Sequence, residues 1–499
     1  MRCWWIVSIC AGVKFEGVLQ MTELDMATKW PMYIGGASRT SERVTPVLDP
    51  GSGLVVASVP AAAREDALEA LSYAQKGTEI AANMPSHQRM RILNQASDLI
   101  RARREAFAVL IATEGSKTIR EARKEVDRCV DTMHLSAEEA RRQEGEVIKF
   151  DQSPGSENRV GYWQRGPVGI VLAITPFNDP LNLVAHKVGP AIATGNAVIV
   201  KPSELTPLSA LKLAETLYEA GLPREVLSVV TGSAHDIGEP LVQDPRVRMV
   251  SFTGGLKTGT HIAHQAGLKK ISMELGSNSP VIILADAELE AAAKACVSGA
   301  FWAAGQNCLG VQRIFIEQGV YDEMKERIVA LTAAIRMGEK MDESTDMGPL
   351  ITSREATRVA DWVEHAQSRG ARVLIGGERQ GTYYRPTILE GVPTGMTVLE
   401  EEIFGPVASL VAVKDLDSAI HQANSVNYGL QAGVFTRDIS SAFHAIKKLQ
   451  VGGVMINDSS DYRIDAMPFG GVKGSGLGRE GVHFAAEAMT EQKVVCFNL

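Results

Sequence analysis

The stretch Ile271-Ser272-Met273-Glu274-Leu275-Gly276 is a short apolar strand pattern that ends in a carboxylate and a glycine. A cysteine in Gly305-Gln306-Asn307-Cys308 follows 34 positions after Glu274. A thiol can bond covalently to a carbonyl carbon, and a carboxylate can activate the water that releases the product. The pair predicts an enzyme that works through a covalent intermediate.

Short apolar runs alternate with helical patterns on both sides of these two stretches. The predicted strands before Cys308 are 168–174, 197–200, 226–230, 248–252, 271–274 and 281–284. A second series of strands and helices runs from 311 to 457, whereas 64–142 reads as long helices. Alternation of this kind predicts parallel sheets covered by helices on both faces, so we expect two doubly wound α/β domains.

Composition narrows the class of protein. The chain has 499 residues, enough for two or three domains, and its net charge of −8 argues against a nucleic-acid surface. The cysteines show no CxxC spacing, which makes disulfides and a zinc site unfavourable and fits a reducing cytoplasm. They are Cys3, Cys10, Cys129, Cys296, Cys308 and Cys496. We expect no metal.

The amino terminus carries an apolar run from Cys3 to Ala11. It is too short to span a bilayer and is followed by no clear small-x-small cleavage site. We interpret residues 1–22 as a disordered extension, with Met21 as the favoured start. No other apolar run reaches membrane length, so we expect no membrane partner.

Three further motifs support one family resemblance. They are Thr175-Pro176-Phe177-Asn178, Lys201-Pro202-Ser203-Glu204 and Glu401-Glu402-Ile403-Phe404-Gly405-Pro406. With the stretches around Glu274 and Cys308, and in the same order, they resemble the NAD(P)-dependent aldehyde dehydrogenase superfamily from about position 25 onward. The resemblance implies oxidation of an aldehyde to its acid through a cysteine thiohemiacetal and thioester.

The resemblance assigns the chemistry to three residues. Cys308 would be the nucleophile, the Asn178 amide would stabilise the oxyanion, and Glu274 would activate water. In isolation these residues would be a buried cysteine, a turn residue and a salt-bridged carboxylate. Coenzyme-A-acylating relatives usually lack this glutamate, so hydrolysis to a free acid is favoured.

The implied cofactor is NAD, held by the carboxyl ends of the first series of strands. Glu204 would accept from the adenosine ribose and repel a 2′-phosphate, which favours NAD over NADP. Gly255 stands where the family commonly has serine, and Ala234 where it has glycine. The full set of cofactor residues is Thr175, Pro176, Phe177, Lys201, Ser203, Glu204, Gly232, Gly238, Phe252, Thr253, Gly254, Gly255, Gly259, Leu275, Glu402 and Phe404.

The segments 457–463 and 467–473 are similar to the substrate loop of one branch of the family. That branch contains lactaldehyde, non-phosphorylating glyceraldehyde-3-phosphate and phosphonoacetaldehyde dehydrogenases. Arg128 and Arg463 are candidates for binding an anionic group, and Asn307 stands where a third arginine would be. The hypothesis is a short, polar aldehyde, with an anionic group if the arginines bind it; surface salt bridging is the alternative for both.

The resemblance also implies a dinucleotide-binding domain, a catalytic domain and a small β arm that joins subunits into a homodimer or homotetramer. We place the cofactor domain at 23–143 and 167–275, the catalytic domain at 276–475, and the arm at 144–166 and 476–499. Exposed strands in the arm invite edge pairing with another subunit.

Three rival functions stay open at this point. The first is an NADP-using or coenzyme-A-acylating aldehyde dehydrogenase. The second is a cysteine esterase or thioester hydrolase, since a thiol and a water-activating carboxylate could turn over esters without a cofactor. The third is a non-catalytic dinucleotide-binding protein, which the presence of all three reactive groups disfavours.

Overall fold

The computed structural model of the chain describes residues 29–142 and 144–499. The predicted extension at 1–22, with Cys3, Cys10 and Met21, lies outside these residues. Across the described ranges no helix has both the length and the apolar character needed to cross a membrane. The same ranges hold no cluster of three or more side chains suited to a metal ion.

The first part of the chain forms four short strands and then four helices. The strands are β1 Met32–Ile34, β2 Ala37–Arg39, β3 Val44–Leu48 and β4 Val55–Pro60. The helices are α1 Arg64–Asn83, α2 Ser86–Ala102, α3 Arg104–Glu114 and α4 Ile119–Glu139. The helices match the predicted helical region, whereas the strands were not predicted because they are short and polar on one face.

The next part alternates between strand and helix, as predicted. Its strands are β5 Gly145–Ile148, β6 Arg159–Pro167, β7 Ile170–Ile174, β8 Ala197–Lys201, β9 Leu227–Val229, β10 Val247–Thr253 and β11 Lys270–Glu274. Its helices are α5 Asn182–Ala193, α6 Leu208–Glu219, α7 Glu239–Gln243 and α8 Leu256–Ala266.

The third part repeats the alternation. Its strands are β12 Ser279–Ile283, β13 Val311–Glu317, β14 Arg372–Ile375, β15 Arg379–Gln380, β16 Tyr383–Tyr384, β17 Thr387–Glu390, β18 Val407–Val413, β19 Gln431–Phe435 and β20 Gly453–Ile456. Its helices are α9 Leu289–Phe301, α10 Tyr321–Ala333, α11 Ser353–Ser368, α12 Thr397–Glu400, α13 Leu416–Asn424 and α14 Ile439–Lys448. The chain ends with β21 Gly476–Leu477, α15 Val482–Ala488 and β22 Thr490–Asn498.

Two large sheets organise these elements, which confirms the predicted fold class. The first has the order β2-β1-β9-β8-β7-β10-β11-β21, and the second β14-β17-β18-β13-β12-β19-β20. The central strands of both are parallel, and β8 is buried along its whole length, because helices cover both faces. A separate antiparallel sheet has the order β22-β6-β5 and lies almost entirely within the segments predicted as the arm.

Residues 476–489 lie differently from the predicted boundary of the arm. Strand β21 pairs antiparallel with β11 through Glu274 and Gly476, and α15 packs on α5 and α4. The apolar residues Val482, Ala485 and Ala486 of α15 are buried in this contact. Only β22 continues into the arm, where it pairs with β6 along nine residues.

Candidate active site

The two sheets meet at a boundary where most of the predicted site residues lie. Lys201, Thr253 and Glu274 are the last residues of β8, β10 and β11, so they stand at the carboxyl edge of the first sheet. Cys308 and Glu402 come shortly before β13 and β18, at the amino edge of the second. Parallel α/β sheets bind ligands at the carboxyl ends of their strands.

Glu274 is a buried carboxyl with no partner. Only 3% of its surface is exposed, and neither carboxyl oxygen makes a hydrogen bond to any described residue. Burial raises its pKa well above the ordinary value, the Glu480 carboxylate adds to this, and Arg463 and Lys187 oppose it. A side chain at Gly470 would come within 2.8 Å of Glu274 Oε1, so this glycine leaves room for the carboxyl. Such a group is a poised proton acceptor.

Cys308 lies partly exposed beside a small apolar cluster of Leu309, Leu430 and Phe469. Burial raises the pKa of its thiol to about 12, and the nearby Arg463 guanidinium acts in the opposite direction. The Glu274 carboxylate also raises this pKa, and Phe469 of the cluster beside Cys308 is followed by Gly470, which lies against Glu274. The thiol therefore needs a further favourable charge or a base to ionise.

The turn that leads to Cys308 is strained. Ala303, Ala304 and Gly305 all have left-handed backbone angles, with φ of 51°, 55° and 69°. Each alanine in this region costs about 1–2 kcal/mol. Gly305 cannot carry a side chain because a Cβ there would lie 2.2 Å from the Gly405 carbonyl oxygen. The turn is held by three hydrogen bonds to Ala303: its N–H donates to Glu121 Oε1, and its carbonyl accepts from the Gln306 backbone N–H and from Gln306 Nε2.

Asn178 follows β7 on a half-buried loop. Neither its side-chain amide nor the backbone N–H of Cys308 donates a hydrogen bond to any residue in the described ranges. Both donors are therefore free for a ligand, as an oxyanion site requires. The preceding residue, Phe177, packs edge to face on Phe404 with ring centres 5.7 Å apart.

A buried ionic cluster lies behind Glu274, and sequence reasoning missed it. Lys187, in the middle of α5, donates to Glu480 Oε1 at 2.9 Å and to the Thr253 hydroxyl at 2.7 Å. Arg463 donates to Glu480 Oε2 at 3.3 Å, and His186 bonds Asp465 at 2.8 Å. The available signal was a lysine inside an otherwise apolar helix, since a charge in such a place needs a buried partner.

The structure brings the two candidate substrate arginines together at Asp465. Arg128 engages all three of its nitrogens with carboxylates, two with Asp465 and one with Asp179. Arg463 is buried with its guanidinium 3.8 Å from the centre of the Phe469 ring, and its Nε makes no hydrogen bond to the described residues. Arg128 is half-buried in its ion pairs, whereas Arg463 Nε is fully buried 3.9 Å from Asp465 Oδ1 and makes no hydrogen bond within the described ranges.

Asn307, the third candidate substrate residue, makes its contacts within its own loop and not with the two arginines. Its amide accepts from the Leu309 N–H at 3.0 Å and donates to the Trp302 carbonyl at 3.4 Å. The side chain is occupied within its own loop, so it shapes the backbone around Cys308.

The predicted adenosine-ribose residues lie together after β8. The Lys201 ammonium is 3.9 Å from the Glu204 carboxylate, which is 43% exposed, and burial lowers the pKa of Lys201. The Ser203 hydroxyl accepts from the Leu205 N–H and so shapes this turn. Thr175 adds a buried hydroxyl with no partner among the described residues. An unpaired hydroxyl beside an accessible carboxylate fits a polar ligand such as a ribose.

The glycines of the two predicted phosphate turns have different roles. A side chain at Gly232, Gly254 or Gly259 would meet Ala62, Phe252 or Leu275, so packing accounts for these three, whereas a Cβ at Gly238 would make only an ordinary contact with the Lys201 side chain. Gly255, in contrast, faces open space at the amino end of α8, an eleven-residue helix. This helix terminus offers backbone donors and a favourable dipole for a phosphate.

Glu402 contacts the segment that joins β11 to β12. Its Oε1 accepts from the Ser277 N–H at 2.8 Å, and a side chain at Gly276 would meet its Oε2. Burial raises the pKa of Glu402 to about 7. Phe404 beside it has a φ of 42°, and Leu275 is buried against α8. These residues could hold a second ribose next to Cys308.

Comparison with known proteins agrees with this geometry. The sequence profile of the aldehyde dehydrogenase family matches residues 37–495. Aspartate-semialdehyde dehydrogenase 1 of Pseudomonas canavaninivorans is 50% identical over 453 residues, covering 91% of this chain and 96% of the relative. The 3-sulfolactaldehyde dehydrogenase of Priestia aryabhattai is 43% identical over 479 residues, covering 96% and 100%.

Among solved structures, the glyceraldehyde-3-phosphate dehydrogenase of Methanocaldococcus jannaschii complexed with NADP is similar to this chain over most of its length. The TM-score is 0.89 at 40% identity, and the match covers 92% of this chain and 100% of that one. The predicted branch of the family is confirmed by these relatives.

Proposed function

The chain belongs to the aldehyde dehydrogenase family, and on that premise we propose that it oxidises a short, polar aldehyde bearing an anionic group to the carboxylic acid with NAD. It is an NAD(P)-dependent oxidoreductase. One observation carries the mechanism: the chain at Phe469 and Gly470 touches both Cys308, which packs against the cluster that contains Phe469, and the buried Glu274 carboxyl, which makes no hydrogen bond to a described residue.

Cys308 and Asn178 perform the first step. The Cys308 thiol first loses its proton to water, which the Arg463 guanidinium favours, and the thiolate then attacks the aldehyde carbon so that the carbonyl oxygen becomes an oxyanion. The Asn178 amide and the Cys308 backbone N–H, both free donors, would hold this oxygen. Loss of one such donor costs about 2.7–4 kcal/mol of transition-state stabilisation.

Glu274 performs the last step. A nicotinamide dinucleotide held by Lys201, Glu204 and Glu402 would supply the acceptor for the hydride of the thiohemiacetal carbon. The acyl group then remains on the Cys308 sulfur as a thioester. Glu274 takes a proton from a water molecule, the resulting hydroxide attacks the acyl carbon, and the thiolate leaves. A carboxyl whose pKa is raised by burial is a stronger base than an exposed one and suits this role.

The preference for NAD rests on Glu204. Its exposed carboxylate near Lys201 can accept from ribose hydroxyls, and it would repel a 2′-phosphate. One structurally similar relative is complexed with NADP, so similarity within the family does not decide the cofactor. The preference for NAD follows from Glu204 of this chain. The ratio of kcat/KM for the two cofactors, measured in the wild type and in Glu204→Gln, tests it: the variant should gain relative activity with NADP.

An anionic substrate is supported by the surroundings of Cys308. The Arg463 guanidinium packs on Phe469, a residue of the apolar cluster beside Cys308, and its buried Nε makes no hydrogen bond to a described residue. The relatives above act, by their names, on aldehydes that carry a carboxylate, a sulfonate or a phosphate. A short anionic aldehyde would place its charge on Arg463 and its carbonyl at Cys308.

An NADH absorbance assay tests the whole proposal. The panel contains aspartate semialdehyde, 3-sulfolactaldehyde, glyceraldehyde-3-phosphate, lactaldehyde and neutral glycolaldehyde, each with and without coenzyme A. We expect NADH with the anionic aldehydes, no stimulation by coenzyme A, and no activity in Cys308→Ala. Cys496→Ala, which removes an exposed thiol of the arm, is the matched control. Turnover that survives in Cys308→Ala would exclude the mechanism.

We also propose a homodimer or homotetramer built through the arm. Strands β22 and β5 are the two edges of the β22-β6-β5 sheet, and they expose large apolar residues, Val494 and Phe497 on β22 and Val147 on β5. An exposed edge with apolar side chains favours pairing with a second copy. Light scattering should give a mass of two or four times 53.7 kDa, and Val494→Lys should reduce it.

A further inference from the structure

Helix α4 carries a row of buried charges on one face, which the mechanism above does not use. Lys117, just before the helix, Glu121 and Glu125 are spaced four residues apart, and 2%, 6% and 1% of their surfaces are exposed. Thr118 caps the helix, and its N–H and hydroxyl donate to Glu121 Oε2. Local capping accounts for one oxygen of Glu121 and leaves the other unexplained.

The other oxygen reaches the nucleophile turn. Glu121 Oε1 accepts from the Ala303 N–H at 2.8 Å, although the two residues are 182 positions apart. Ala303 is the first of the three left-handed residues that precede Cys308. A buried carboxylate is a strong acceptor for a backbone N–H, so this contact favours a conformation that alanine disfavours.

Lys117 and Glu125 reach the loop of Asn178 from the same face. The Lys117 ammonium donates to Glu125 Oε2 at 2.8 Å and contacts the carboxylate of Asp179, the residue after Asn178. Glu125 Oε1 accepts from the N–H groups of Leu181 and Asn182. The same ammonium stands 4.8 Å from the centre of the Trp302 ring, next to Ala303. The face thus touches the two loops that carry the thiol and the oxyanion donor.

We propose that Glu121 is a positioning residue, which holds Ala303 in its left-handed conformation and so fixes the Cys308 thiol relative to the Asn178 amide. The inference rests on the proposed function of those two residues. Lys117 and Glu125 fix the Asn178 side of the same arrangement. Misplacement of a reacting group by about 1 Å lowers a rate by about 100-fold, so a small relaxation of the turn has a large effect.

The first test is rescue of Glu121→Gln by glycine at position 303. Glutamine keeps the size of the side chain but cannot accept from both Thr118 and Ala303, so kcat should fall by about 30- to 100-fold with a KM within about threefold. Adding Ala303→Gly should restore at least about tenfold, because glycine adopts left-handed angles without a steric penalty. Glu138→Gln, on the solvent side of α4, is the matched control and should keep wild-type activity.

The pattern of rescue decides between positioning and general stabilisation. If Glu121 only capped α4, glycine at 303 would restore nothing, and kcat would follow the fraction of folded enzyme measured by circular dichroism. Either result overturns the proposal.

The second test does not depend on aldehyde oxidation. Relaxation of the turn exposes the thiol to water, which makes it easier to ionise, so iodoacetamide should alkylate Cys308 at pH 8 at least about threefold faster in Glu121→Gln. Peptide mapping identifies the alkylated cysteine, and Glu138→Gln should match the wild type. If the wild type oxidises no aldehyde, the proposed function fails, yet alkylation still decides the role of Glu121. Equal alkylation rates overturn it.

Discussion

Glu274 and Glu480 are two carboxyls with the same burial and opposite surroundings. Each exposes 3% of its surface, and each lies at the carboxyl edge of the first sheet. Glu274 has no hydrogen-bond partner in the described ranges, whereas Glu480 accepts from Lys187, Thr253 and Arg463. Burial raises the pKa of both, but Lys187, Arg463 and His186 hold the pKa of Glu480 well below its usual range.

The difference shows that partners, rather than depth, decide what a buried carboxyl does. Glu480 stays ionised and keeps two cations in place. Glu274 is left without donors, so it can exchange a proton with a water molecule beside Cys308. An unpaired buried polar group destabilises a fold by about 1–3 kcal/mol, and such a group persists at sites of function.

The largest expected effect follows substitution of Glu274, the carboxyl that has no hydrogen-bond partner in the described ranges. Glu274→Gln removes the base for thioester hydrolysis, so steady-state kcat should fall by about 100- to 10,000-fold. Acylation does not need this base, and stopped-flow absorbance should therefore show one NADH per site before the slow phase. Glu400→Gln, exposed on α12, is the control. A steady-state rate equal to that of the wild type would exclude Glu274 as the base.

The second largest effect is on the paired member. Glu480→Gln leaves Lys187 and Arg463 without their carboxylate, and loss of one partner of a buried pair costs about 3–5 kcal/mol in the free energy of unfolding. Urea unfolding measures this, with Glu487→Gln of α15 as the exposed control.

The same variant changes the pH dependence of activity. Without the negative charge of Glu480, and with both cations still present, the pKa of Glu274 falls. Glu274 must be ionised to act, so the acid limb of kcat should move to lower pH. If the acid limb of the kcat profile keeps its position, Glu480 does not influence the pKa of Glu274.

Arg463 lies between the two carboxyls and sharpens the comparison further. Arg463→Gln should lower kcat/KM for anionic aldehydes by about 10- to 100-fold more than for glycolaldehyde, because a hydrogen bond to a charged group is worth about 1.5–3 kcal/mol. Arg128→Gln is the matched variant, and its selectivity should change less because its nitrogens already bind Asp465 and Asp179. Equal losses for charged and neutral aldehydes would exclude an anion subsite at Arg463.

The smallest effect concerns stability. The folded chain favours the protonated form of Glu274. Ionisation of this carboxyl therefore lowers the free energy of unfolding progressively as the pH rises above 4.5, the ordinary pKa of a glutamate. At neutral pH, urea unfolding of Glu274→Gln should therefore give a free energy of unfolding about 1 kcal/mol higher than that of the wild type. At acid pH the two free energies should be equal. The opposite trend with pH would mean that Glu274 is stabilised as an anion.

Much of the fold follows from local patterns. The buried runs of β7, β8 and β10 and the helices from Arg64 onward agree with the predicted boundaries within a few residues, because apolar periodicity reports burial directly. Strands β1 and β2 were missed because each has only three residues and depends on β9 for its place in the sheet. The two residues of β21 carry no pattern at all.

The site divides in the same way. Cys308, Glu274 and Asn178 could be proposed from short motifs, because their neighbours in sequence are characteristic. Glu480 and Asp465 could not, since their partners Lys187 and His186 are 293 and 279 positions away. The Thr118-x-x-Glu121 capping box was readable in the sequence, whereas its contact with Ala303 depends on the packing of two domains.

The pairing of β11 with β21 has a consequence for synthesis of the chain. The first sheet has an open edge until Gly476 emerges, roughly 200 residues after Glu274, which at about 5–20 residues per second is roughly 10–40 s on the ribosome. During that time an unpaired strand edge is available to other nascent chains. Slowing translation late in the message should therefore increase aggregation, and supplying a holdase chaperone should relieve it.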